Sequence, residues 1–162
     1  MKLFIYTFMA ALVLPFFVSA QERESEMKLA KYAFMVDSLI STNNYSLYAV
    51  TMREMDSGLR RRVFDDFYYL TVEDDSVVAH LPLECTEARK CKQINLESAE
   101  IESYHAIRND VGWMIYFDVE HDSKLYEFVI EVPVTIEELT FTESCDGSAV
   151  RFTASFDPPK GE

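Results

Sequence analysis

Three consecutive arginines, Arg60-Arg61-Arg62, with Arg53 a short way upstream, are the most conspicuous chemical feature of the chain. They sit among 28 acidic residues that outnumber 15 lysines and arginines and set a net charge of −13. A guanidinium presents several N–H donors in a fixed fork that matches the oxygens of a carboxylate, sulfate or phosphate. Arg53, Arg60, Arg61 and Arg62 are therefore candidate anion ligands. The competing reading is internal pairing with nearby acids such as Asp65 and Asp66. The overall negative field repels nucleic acid and anionic lipid, so neither is expected as a partner. What the net charge itself favours is solubility or a cationic partner.

The thiols come next. Cys85 and Cys91 lie six positions apart, and Cys145 stands far downstream. Arg89, Lys90 and Lys92 surround Cys91, and nearby positive charge lowers a thiol pKa. In an oxidising compartment, however, a neighbouring thiol makes a disulfide the expected fate. Thr86-Glu87-Ala88-Arg89-Lys90 lacks strand alternation and can coil to bring the two cysteines together, a closure worth about 2–2.5 kcal/mol in the chain-entropy account. Cys85–Cys91 is the expected pair, with Cys145 alone. A bridge through Cys145, or three free thiols, are the alternatives. Zinc wants tighter, repeated Cys or His pairs, and no Cys-x-x-Cys occurs.

Only His80, His105 and His121 can serve as bases near neutral pH. His80 and His105 fall in strand-like runs, where an imidazole is more often a structural hydrogen-bonding group. Glu120-His121-Asp122, Asp65-Asp66 and Asp74-Asp75 gather carboxylates without the spacing of a calcium loop, and read as solvated turns. No Gly-x-Ser-x-Gly elbow, His-Glu-x-x-His, Walker loop or dinucleotide fingerprint is present. Four glycines in the whole chain leave no phosphate-cradling loop. The expectation is a non-enzyme with no metal and no cofactor.

These residues need a scaffold, and the sequence describes one. A hydrophobic content of 49% with 14% aromatics excludes disorder. Residues 1–20 have the form of a secretory signal peptide: Lys2, an apolar run from Leu3 to Phe17, then Val18-Ser19-Ala20 as a cleavage site. Gln21, not Cys, follows that site, so no lipid anchor is expected. No later apolar run is long enough to span a membrane. Removing the peptide takes away Lys2 and no acid, leaving 14 basic residues of the 15 against the same 28 acids, a shift from −13 to −14. The expected mature product is one soluble domain, residues 21–162, in the periplasm or secreted.

Glu22 to Ile40 reads as a helix, with Leu29, Ala33, Val36 and Ile40 on one face and Glu22, Glu24 and Glu26 in the first turns, where acids suit the helix dipole. From Tyr45 the period changes to two. Strands are expected at Tyr45 to Arg53, Phe67 to Glu73, Ser76 to Leu81, Ala99 to Arg108, Trp113 to Glu120, Tyr126 to Val132, Val134 to Thr142 and Ala149 to Phe156. Glu54 to Asp66 and Pro82 to Ser98 lack periodicity and read as loops. Short turns favour antiparallel pairing. The fold class is mainly β (α+β): an N-terminal helix packed on an antiparallel meander of about eight strands, barrel-like or two-layer. Trp113, Ile115, Phe117, Phe128, Ile130, Phe152 and Phe156 should share the core, with Asp118, Glu127 and Glu131 facing away.

Phe67-Tyr68-Tyr69-Leu70-Thr71-Val72-Glu73-Asp74-Asp75-Ser76-Val77-Val78-Ala79-His80-Leu81-Pro82 resembles the signature hairpin of domain-of-unknown-function family 4251, a family of small exported Bacteroidota proteins. Val36-Asp37-Ser38-Leu39 leading to Asn44-Tyr45-Ser46-Leu47, the Tyr126-Glu127-Phe128 strand and the Gly147-Ser148-Ala149 turn are similar to that family as well. The resemblance covers roughly residues 30 to 157. It implies export and a helix followed by strands, and implies no activity. Leu83-Glu84-Cys85-Thr86-Glu87-Ala88-Arg89-Lys90-Cys91 departs from the family pattern, so a ligand contact shared through that loop is not implied.

The functional expectation is an exported, non-catalytic envelope module that binds a protein or glycan partner. The alternative is a small β-barrel that holds an apolar or anionic small ligand. Mass spectrometry of the exported protein should find an unmodified chain starting at Gln21; an uncleaved or acylated N-terminus would contradict the reading of residues 1–20.

Overall fold

The computed structural model describes residues 2–63, 68–87, 90–135 and 138–157, with side chains for those outside 2–21 and 83–92. Helix α1 spans Lys2–Ser41. Ten strands follow: β1 (Asn44–Glu54), β2 (Arg60–Arg62), β3 (Tyr69–Glu73), β4 (Ser76–Glu87), β5 (Lys90–Glu100), β6 (Glu102–Arg108), β7 (Gly112–His121), β8 (Lys124–Pro133), β9 (Leu139–Cys145) and β10 (Ser148–Ser155). All pair antiparallel, in the order β5-β4-β3-β1-β10-β9-β8-β7-β6, with β2 on β1. First and last strands are thus neighbours at the centre of the order. The two outermost strands, β5 and β6, are joined by a single residue, Ile101, whose N–H donates to the carbonyl of Asp75 at 2.8 Å. Ser98 and Ser103 on either side take φ 54°, a left-handed conformation that bends the chain sharply. The sheet therefore curls until its ends meet, and the architecture is a nearly closed barrel with a helix packed on it.

Period-two alternation fills the interior. Leu47, Leu70, Leu81, Ile115, Ile130 and Phe141 are all fully buried. Phe117 stacks on Phe128 with ring centroids 5.0 Å apart, and Phe141 on Phe152 at 4.7 Å. Of the expected core, Ile115, Phe117, Phe128, Ile130 and Phe152 are buried, while Trp113 and Phe156 pack half-buried at its margin. Asp118, Glu127 and Glu131 lie on the outward positions of their strands.

Among the described side chains of the helix, those that meet the barrel lie in its C-terminal turns. Val36 and Ile40 are buried against the barrel, with Tyr32 and Leu39 beside them, whereas Leu29 is exposed. Burying Val36 and Ile40 contributes about 1.5–3 kcal/mol each. Asp37 fixes the rotation of the helix: Trp113 Nε1 donates to its Oδ1 at 2.7 Å, and Arg108 lies 3.2 Å from its Oδ2. Among the described residues no helix is long and apolar enough to cross a membrane.

Several expected boundaries move. Pro82 to Ser98 is not a loop but most of the β4–β5 hairpin, and Glu54 to Asp66 contains β2. Asp65 and Asp66 themselves lie outside the described residues. The expected strand Ala99 to Arg108 is two strands broken at Ile101, and the left-handed Ser103 turns Tyr104 inward, where its ring meets Phe117. Ile107 consequently faces solvent. Pro133 ends β8, and β9 begins only at Leu139, so Val134 does not continue as strand.

Among the described residues, one interior position carries an ionisable carboxyl. Glu143 is 1% exposed, and its Oε1 has no hydrogen-bond partner. Its cross-strand neighbours are Phe128 and Val150. Burial pushes its carboxyl from the ordinary 4.5 up to about 7. The folded protein therefore holds this proton more tightly than the unfolded chain. Stability from this group is fully present below about pH 4.5, declines as pH rises, and is lost above about pH 7. The loss is on the order of 3 kcal/mol. Urea unfolding at pH 5 and pH 8 should show wild type losing stability relative to Glu143→Gln across that interval; parallel pH dependences in the two proteins would refute the assignment.

Candidate functional site

Strand β1 runs through the middle of the sheet order, and its outward residues gather the chain's most distinctive surface. Tyr45, Leu47, Ala49 and Met52 are buried. Tyr48 and, beyond a register shift between Ala49 and Thr51, Thr51 and Arg53 occupy the alternate positions. The shift is a β-bulge at Val50. In a regular strand, residues five positions apart such as Tyr48 and Arg53 lie on opposite faces; the bulge takes up the odd residue and puts both on the same one.

Cross-strand register extends each of these residues into a row. Arg53 is paired with Arg60 of β2 on one side and Arg151 of β10 on the other. Neighbouring strands are about 4.8 Å apart, so three guanidinium-bearing residues occupy adjacent places. Like charges directly opposite destabilise a sheet unless counter-charges answer them. Arg151 is answered: it bonds Glu131 Oε2 and donates to Thr140 Oγ1 at 3.0 Å, while Thr140 Oγ1 donates to Glu131 Oε2 at 2.9 Å. Arg60 reaches only the outer limit of an ion pair with Glu138, at 4.0 Å with both side chains exposed. Arg53 is exposed and, among the described residues, has no ion-pair partner. Of the four arginines expected from sequence, Arg53, Arg60 and Arg62 share this face. Arg61 is the register partner of buried Met52 and lies on the other one.

The next row holds hydroxyls, with Thr51 Oγ1 and Thr153 Oγ1 2.8 Å apart. The row beyond is aromatic. Tyr48 pairs with Tyr69, Tyr69 with His80, and His80 with Asn95, across β1, β3, β4 and β5. Tyr68 stacks on His80 with centroids 5.4 Å apart and planes 9° from parallel. His80 Nδ1 bonds Asn95 Oδ1, and Gln93 Nε2 donates to the Tyr68 hydroxyl at 3.2 Å. A hollow of about 350 Å³ opens here, walled by Tyr69, Val78, His80, Asn95 and Glu97.

His80 is thus held by a ring and an amide. His121 sits 3.6 Å from the exposed carboxylate of Asp122 in the β7–β8 turn, and His105 is exposed on β6. Among the described residues, no group of three or more His, Cys, Asp or Glu side chains is placed to hold a metal ion. Arg151 and the tyrosine row were not singled out from sequence. The acidic background makes an Arg-Arg-Arg run conspicuous, whereas a lone arginine in β10 gains meaning only when β10 is known to lie beside β1.

The fold and this face define a helix-bearing antiparallel barrel with a polar, aromatic and cationic outer surface. Among solved structures, the chain is similar to a DUF4251 family protein from Bacteroides eggerthii DSM 20697, with a TM-score of 0.61 and 9% sequence identity over 78% of this chain and 89% of that one. That likeness is one of fold. No family model matches the sequence, and no curated protein matches it.

Cys85 and Cys91 are register partners on β4 and β5. Directly opposed residues in an antiparallel pair have Cα atoms about 4.5–5.5 Å apart, within the about 4.4–6.8 Å that a disulfide spans. We propose the bridge on that register, between strands rather than within a coil. Cys145 is unbridged and half-buried, and burial together with the carboxylate of Asp146 raises its thiol pKa. Non-reducing peptide mapping of the protein recovered under oxidising conditions should find one Cys85–Cys91 cross-link and a single alkylatable thiol at Cys145; a cross-link through Cys145 would refute the pairing.

Proposed function

We propose that this chain is an exported, non-catalytic module of the cell envelope that holds an anionic group of a protein or glycan partner on the outer face of β1. The observation that carries this reading is the row Arg60–Arg53–Arg151, in which the central guanidinium has no acid partner among the described residues of a protein with net charge −13. The protein's own field opposes anions at long range, so recognition here rests on short-range, forked hydrogen bonds. The signal-like residues 1–20, ending in Val18-Ser19-Ala20, support export and a mature chain beginning at Gln21.

The interior supports this reading over a ligand held inside the barrel. The centre is occupied by the side chains of Phe117, Phe128, Phe141 and Phe152, each with 1% exposure or less. Small barrels of this kind are filled by their own side chains. A binding surface on the outside needs no repacking of them.

Titration of the mature protein with inorganic sulfate and with a sulfated polyanion, followed by amide chemical shifts, tests the reading. Shifts should centre on Arg53, Arg60 and Arg151 and weaken as chloride rises. Arg53→Glu should lower affinity at least tenfold with the fold intact by circular dichroism. Unchanged affinity in that variant would overturn the proposal.

A further inference from the structure

We propose that the partner is an acidic polysaccharide, with a sugar ring on the Tyr48–Tyr69–His80 row and a carboxylate or sulfate of the same chain at Arg53. This rests on the anion-binding reading and adds the chemistry of the rest of the ligand. A pyranose has an apolar C–H face edged by hydroxyls. The matching surface is an aromatic ring that presents an apolar body and is bordered by amides and carboxylates. The outer rows of β1, β3, β4 and β5 supply this pattern: tyrosines at 48, 68 and 69, the imidazole of His80, the amides of Gln93 and Asn95, and the carboxylate of Glu97.

The hollow owes its form to the backbone. The β4–β5 register shifts between Val77 and Ala79, and Ser98 on the partner strand is left-handed. A bulge of this kind bends its strand and re-aims side chains. The resulting 350 Å³ lies at the small end of ligand sites, about 300–1,000 Å³. The ring of His80 is already fixed by Tyr68 on its face and Asn95 at its edge, and Tyr68 by Gln93. Little side-chain ordering remains to be done on binding.

Length distinguishes a polysaccharide from a small anion. Tyr48 and Arg53 are five residues apart on one strand, roughly 15 Å, farther than one sugar can reach. The hydroxyls of Thr51 and Thr153 lie between them. The centre of the face is therefore polar and hydroxylated, unlike the apolar centre of a protein–protein interface. Stacking rings beside arginines also suit a single-stranded nucleic acid, but such binders are basic, and this chain has a pI near 4.6 with Glu97, Glu131 and Glu138 on or beside the face.

Calorimetry on the mature protein with four probes decides. These are a short galacturonate oligomer, its methyl ester, a sulfated galactan oligomer and an oligo(dT) of similar length. A charged oligosaccharide should bind at least tenfold more tightly than the ester. Arg53→Ala should remove that advantage. Tyr69→Ala should weaken all sugars at least tenfold, and Glu97→Trp, which fills the hollow from an exposed position, should do the same if the tyrosine variant is unstable. Sugar binding that ignores Arg53 overturns the anionic part and the reading it rests on. Sulfate binding that depends on Arg53 while both hollow variants bind the charged oligomers normally overturns the sugar-ring part alone. Tighter binding of oligo(dT), or no binding of any oligosaccharide, overturns the proposal.

Discussion

The filled interior of the barrel governs everything outside it. Side chains alternate across a strand, so each residue committed to the core commits its neighbours to solvent. Leu47, Ala49 and Met52 are sealed inside, and the outward places of Tyr48, Thr51 and Arg53 follow. The same holds on β10, where buried Val150, Phe152 and Ala154 leave Arg151 and Thr153 facing out. The stacked phenylalanines supply the apolar burial that stabilises this parity. The candidate face is the other side of the same alternation.

Two contacts extend that constraint around the barrel. Pairing of β1 with β10 brings together residues about a hundred positions apart, and the Thr51–Thr153 hydroxyl contact marks the register. At the opposite side, the single-residue joint at Ile101 carries the chain from β5 to β6 and lets the ends of the sheet approach. Asp37 then orients the helix through Trp113 and Arg108, closing the core where Val36 and Ile40 enter it.

The legible parts of the sequence were those with local signals. Clean alternation marked β3, β7, β8 and β10, and the helical spacing of Val36 and Ile40 marked the docked end of the helix. Strand β5 was hidden because, among its described side chains, Ile94 and Leu96 are the buried apolar ones, in a segment that also carries Lys90, Lys92, Glu97 and Glu100. Leu29 looked equivalent to Ile40 on the helix wheel, but the wheel does not say where the barrel ends. At β6, alternation continued through Ser103 in the sequence while the left-handed backbone reversed it in space. The candidate site shows the same division. Arg60-Arg61-Arg62 is visible as a run, yet which of its members face together depends on pairing with β1, and the contribution of Arg151 depends on strand order. The tyrosine row spans three strands and has no sequence signature of its own.

The bulge at Val50 makes the face of β1 depend on a count. Tyr48 and Arg53 are an odd number of positions apart, and the unpaired residue returns them to one side of the sheet. Deleting Val50 would leave them four apart on a regular strand, still on that side, and would remove only the bend and extra twist of the bulge. Forcing the full-length strand into regular pairing would instead demand opposite orientations of its two halves. Either the arginine would turn toward the phenylalanines, or Tyr48 would turn inward and Leu47 outward. A relative without that single residue would keep the surface, whereas one that kept the residue and lost the bulge would keep the composition of this surface and lose the surface itself.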